Sequence, residues 1–124
     1  MVETAEKYSD VFDVGSALSS VGGDREFLAE LVGLIQAAWP TLLADIRDGM
    51  ARGDLRTVES AARLGQAAAR NVSAKRAYES ALQLEALARK GDLQAVQSAS
   101  VDLEREVDLL RIFLAALSDN ECSA

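Results

Sequence analysis

Four turn signals govern what this chain of 124 residues can fold into: Gly22-Gly23-Asp24, Gly53-Asp54, Asn71-Val72-Ser73 and Gly91-Asp92. In three of them an Asp follows a Gly. A helix-ending glycine is then succeeded by a carboxylate that caps the free N–H groups of the next helix. Ser73 is expected to cap the remaining helix in the same way. Between the signals the apolar period is helical throughout. Leu93, Val96, Ser100, Leu103, Val107, Leu110, Leu114 and Leu117 step by three and four in the last segment. Phe27, Leu31, Leu34, Ala38, Leu42 and Ile46 predict the inward face of the long second segment, which Pro40 should bend. The third segment turns Leu55, Val58, Ala62, Gly65, Ala69 and Val72 inward, and its small middle residues allow a close approach. The fourth buries Ala77, Ala81, Leu84 and Ala88, flanked by Tyr78 and Leu87. Residues 13–21 predict a short capping helix, and no segment alternates like a strand.

Connections of a few residues force sequence neighbours to run antiparallel. The expected fold is therefore all-α: an antiparallel up-down-up-down four-helix bundle with a short N-terminal capping helix. It should occupy residues 11–118, between flexible tails at 1–10 and 119–124.

Composition narrows the function. Asp and Glu number 20 against 13 Lys and Arg, for a net charge of −7. That sign works against binding nucleic acid or an anionic membrane surface. The most apolar stretch, residues 27–43, is interrupted by Glu30, Gln36 and Pro40, so no membrane span is expected, and no signal peptide is evident. The single cysteine, Cys122, cannot pair internally and fits a reducing cytoplasm. The decisive count is zero histidines. It removes histidine base catalysis, Ser-His and Cys-His dyads and imidazole metal ligands. With no metal-ligand spacing and no phosphate-binding glycine loop, no enzyme, cofactor or metal is expected.

The order of signals resembles the histidine-containing phosphotransfer (HPt) domain of bacterial two-component relays. The resemblance spans residues 12–117: Phe12-Asp13, Ala17-Leu18, Val21-Gly22-Gly23-Asp24, Phe27-Leu28, Trp39-Pro40, Gly53-Asp54-Leu55, Asn71-Val72-Ser73-Ala74, Leu84-Glu85 and Gly91-Asp92-Leu93. The family's third helix carries an Ala-His-x-Leu-Lys-Gly signature. Counting from the Gly-Asp turn and back from the Asn-x-Gly-Ala ending both place the histidine at Arg63. Ala62 matches its predecessor, Gly65 falls where Leu is expected, Gln66 replaces the Lys and Ala67 the Gly. The resemblance implies the bundle and a partner class, a response-regulator receiver or a histidine kinase. The chemistry is lost, because a guanidinium is always protonated and cannot carry phosphohistidine.

Arg63, Gln66, Ala67 and Arg70 fall on one helical face and are the candidate partner-binding residues. A receiver's phosphorylation pocket is a carboxylate cluster, which a guanidinium could meet in bidentate fashion. The plainer alternative is that Arg63 and Arg70 are ordinary solvated charges. Glu59, four residues before Arg63, could hold it away from a partner, and Lys75 and Arg76 could extend the basic edge. Trp39 and Pro40 are expected to pack the bundle. The expected function is a cytoplasmic, monomeric pseudo-phosphotransfer protein that modulates a relay by occupancy. A non-signalling adaptor or oligomerisation module is the alternative.

Overall fold

Aspartates open four of the five helices among the described residues. The structure, a computed structural model, describes residues 8–123, with side chains through residue 117. Its helices are α1 (Val14–Ser20), α2 (Arg25–Ala51), α3 (Leu55–Asn71), α4 (Lys75–Lys90) and α5 (Leu93–Ser123). The carboxylates of Asp13, Asp24, Asp54 and Asp92 accept from the backbone N–H three residues on, at 3.0–3.2 Å. Asp54 also takes the Thr57 hydroxyl at 2.7 Å.

The fifth start departs from expectation. The residue before α4 is Ala74, with no side-chain cap, and Ser73 does not cap. Ser73 lies instead in the left-handed region at φ 56°. Its N–H donates to Arg70 O, and the Ala74 N–H to Ala69 O, so Ser73 closes the end of α3 in the position usually held by glycine. The left-handed conformation costs a non-glycine residue roughly 1–2 kcal/mol. Glycine gives back about 0.5–1 kcal/mol in chain entropy. Ser73→Gly should therefore raise stability by about 0.5–1 kcal/mol in urea unfolding. A lower unfolding midpoint would show that the serine side chain supports the loop.

The four long helices close a ring: α2 touches α3 and α5, α4 touches α3 and α5, and α1 leans on α2. The inward faces of α3, α4 and α5 follow the sequence period except at the first residues of α3 and α5, where Leu55 is half-buried and Leu93 is exposed. Val58, Ala62, Gly65, Ala69 and Val72 are buried, as are Ala77, Ala81, Leu84 and Ala88, and Val96, Leu103, Val107, Leu110 and Leu114. α2 requires a correction. It buries Leu28, Val32, Ile35, Trp39, Leu42, Leu43, Ile46 and Gly49. Phe27 and Leu34, predicted inward, are 52% and 70% exposed. The helix carries two adjacent apolar stripes, and the one holding Trp39 fills the core. α2 is one continuous helix through Pro40. It is also long and apolar enough to cross a membrane by length and composition alone, despite Glu30, Gln36 and Pro40.

The described residues flanking the bundle are tied to it by backbone contacts at one end and continue as helix at the other. Tyr8 O accepts from the Val11 and Phe12 N–H groups, and the Tyr8 ring meets Phe113 edge-on at 5.5 Å. Asp10 O accepts from the Arg76 N–H at 2.8 Å, joining this segment to the start of α4. At the other end the backbone of α5 stays helical to Ser123. Residues 1–7 and the Cys122 side chain lie outside the described residues.

Cross-helix polar contacts set the register. Arg76 grips Glu106 through Nε at 2.7 Å and Nη2 at 2.9 Å, joining α4 to α5. Gln36 and Arg111 join α2 to α5. Arg47 Nε reaches Glu104 at 2.7 Å.

Candidate functional site

Small residues place α3 against the centre of the bundle. Trp39 is fully buried, and its ring lies over Gly65: a Cβ at Gly65 would stand 3.3 Å from Trp39 Cζ3. Ala62 and Ala69 flank this contact on the same buried face. With 62, 65 and 69 inward, helical geometry turns 63, 67 and 70 outward. Arg63, Ala67 and Arg70 are exposed, and Gln66 is half-buried at the edge facing α4. The four predicted residues thus share the outer surface of α3, along its seam with α4.

Each polar member of the set is already engaged by α4. Arg63 Nε donates to Glu85 Oε2 at 2.9 Å, and Gln66 Nε2 donates to Glu85 Oε1 at 2.6 Å. Arg70 stacks on Tyr78, with its guanidinium 5.1 Å from the ring centre, and Nη2 donates to the phenol oxygen at 2.9 Å. Glu59 also pairs with Arg63, more distantly, at 3.5 Å. Arg89 completes the group, giving Nε to Glu59 Oε2 and Nη2 to Glu85 Oε2, both at 3.0 Å. The guanidinium at 63 is neither buried nor free. Its side chain is 63% exposed, resting on a carboxylate whose side chain is 9% exposed.

Hydrogen bonds from Gln66 and Arg63 hold the Glu85 carboxyl below its ordinary range, with the Arg63 and Arg89 charges acting the same way against burial. A lowered native value means that this carboxylate stabilises the fold fully above the unfolded value, near pH 4.5. The contribution is lost as pH falls through the native value. Glu85→Gln should therefore melt below the wild type at pH 7, with the gap closing as pH drops below about 4.5. A gap independent of pH would show that the charge on Glu85 is not what counts.

Glu85 and Arg89 were absent from the sequence-derived set. A signal for them existed: Glu59/Arg63 and Glu85/Arg89 are both Glu-to-Arg pairs spaced i,i+4. When their helices pack side by side, the two pairs interlock. Arg76 does not extend the basic edge, because Glu106 holds it, whereas Lys75 is exposed. The outer surface of α3 is nonetheless cationic. The helix carries Arg56, Arg63 and Arg70 against Glu59 alone, in a chain of net charge −7.

No protein-family model matches the sequence, and no curated protein matches it. Among solved structures, the chain is similar to histidine-containing phosphotransfer protein B (HptB) from Pseudomonas aeruginosa PAO1, with a TM-score of 0.80 at 20% identity, over 86% of this chain and 93% of that one. The chain thus has the helical fold of a histidine-containing phosphotransfer protein, with no histidine anywhere in its own sequence.

Proposed function

We propose that this chain is a histidine-less HPt protein of the two-component relay type. It docks on a response-regulator receiver or a histidine kinase and tunes the relay by occupying it. The observation that carries the reading is Arg63, exposed on α3 at the position where the HPt pattern places its histidine. Competition needs only binding, so loss of the phosphoryl acceptor leaves that role intact. The guanidinium offers bidentate pairing to a carboxylate pocket. The exposed Ala67 gives the partner a flat approach beside it.

The four long helices run alternately up and down in this reading. Support comes from contacts whose numbers rise on α3 as they fall on α4: 59 with 89, 63 with 85, 70 with 78. The protein works as a cytoplasmic monomer and not as an enzyme.

Titration against receivers and kinase domains from the same genome tests the proposal. At least one should bind with a Kd below about 1 mM, equivalent to about −4 kcal/mol. Phosphorylated receiver should leave no stable phosphoramidate on the wild-type chain. Failure of every partner to bind, or stoichiometric labelling of the protein, would end the proposal.

One observation favours a second reading, an adaptor or oligomerisation module. Phe27 and Leu34 on α2 and Ile112 on α5 are apolar and more than half exposed. Light scattering decides between the two: a concentration-dependent dimer abolished by Leu34→Lys would replace the signalling role with assembly.

A further inference from the structure

We infer that Arg89 is the reserve counter-ion of Glu85, a positioning residue that lets Arg63 leave for a partner without stranding a buried carboxylate. The inference rests on the docking reading above and specifies how its central residue becomes available.

Two carboxylate oxygens and two guanidinium groups form a closed square. Glu85 Oε2 accepts from both Arg63 Nε at 2.9 Å and Arg89 Nη2 at 3.0 Å. Glu59 Oε2 faces Arg89 Nε at 3.0 Å and Arg63 Nη2 at 3.5 Å. The second oxygen of Glu85 is held by Gln66 at 2.6 Å. Every acceptor that Arg63 uses is therefore used by Arg89 as well.

That redundancy matters because Glu85 is almost closed to solvent. A buried carboxylate stripped of its cation is strongly destabilising. If Arg63 swings outward, Glu85 keeps Gln66 and Arg89, and Glu59 keeps Arg89. If Arg89 were missing, the same movement would leave Glu85 with one neutral donor. The two arginines also differ in what binds them to the fold. Arg89 lies in the last turn of α4, where the helix dipole favours a cation. Arg63 lies in mid-helix and has no such attachment. The asymmetry makes Arg63 the arm that moves and Arg89 the one that stays. Both side chains are at least 60% exposed, so the exchange requires no unpacking of the core.

Arg89→Met keeps the aliphatic stem and removes the charge, and it is tested in two settings. In the free protein, hydrogen exchange of the Arg63 Nε–H is followed by NMR. It should slow about threefold or more in Arg89→Met, because Glu85 then depends on Arg63, within the range of coupling between charged neighbours. With a receiver that binds the wild type, Arg89→Met should weaken affinity about fivefold or more, again within that range. In an Arg63→Met background, measured where thermal melts show the double variant folded, it should leave affinity unchanged although it lowers stability. Unchanged exchange in the free protein overturns the inference whatever a receiver does. A loss of affinity that persists without Arg63 also overturns it, since Arg89 would then touch the partner itself. Slowed exchange with no receiver binding would support the reserve role of Arg89 and defeat the docking proposal alone.

Discussion

Trp39→Ala should destabilise the protein by about 3–5 kcal/mol, the range for removing a large aromatic side chain from a well-packed core. Trp39 is the largest fully buried side chain among the described residues, and it sits where α2 meets α3. Gly65 lies against its ring, and a glycine cannot grow into the space an alanine would leave. A loss of this size is a large share of the roughly 5–15 kcal/mol that holds a domain together. Trp39→Phe should cost far less than the alanine change. It refills most of the volume and removes an indole N–H that is buried with no hydrogen-bond partner among the described residues, a group whose burial carries a penalty of about 1–3 kcal/mol. Urea unfolding of the two variants checks both statements. A loss under about 1 kcal/mol for Trp39→Ala would mean that the bundle does not pack on this ring.

On the proposed docking mode, Arg63→Glu should weaken binding to a receiver by about 2–5 kcal/mol, from tens-fold to thousands-fold in Kd. Reversal sets a carboxylate against the partner's own acidic pocket, and like charges across an interface cost several kcal/mol. It also brings a third carboxylate beside Glu59 and Glu85, so part of the effect will be a lower melting temperature. Arg63→Met separates the two effects. It removes the attraction while leaving Arg89 on both carboxylates, and it should lose affinity with little change in stability, as expected for an exposed ion pair. Isothermal titration beside thermal melts reads both quantities, and equal affinities for wild type, Met and Glu variants would discard the guanidinium contact. Arg63→His should accept phosphate poorly or not at all from a phosphorylated receiver. Gln66 still stands where the HPt signature has a lysine, and Glu85 would face the new imidazole. Strong labelling would show that only the nucleophile had been lost.

Local physics made much of the molecule legible. A 3.6-residue period needs no knowledge of neighbours, so the helices and their aspartate starts could be read directly. The small inward residues of α3 fixed its buried face, and once Ala62 and Gly65 point in, residue 63 must point out. The absence of histidine is a property of composition and excludes phosphohistidine whatever the fold.

Contacts between distant segments were not legible. α2 offers two apolar stripes of similar strength, and only its neighbours choose Leu28, Val32, Ile35 and Trp39 over Phe27 and Leu34. Ser73 reads as a helix cap, yet closing α3 onto α4 forces it into the left-handed position. Glu85 looks like one more surface carboxylate. It meets Arg63 from 22 residues away only because α3 and α4 pack side by side. Periodicity and charge act along the chain, so the sequence alone determined the helices, their turns and the cation at 63. Which face is buried, and which carboxylate holds that cation, depend on neighbours brought together by packing, and only the tertiary structure decided them.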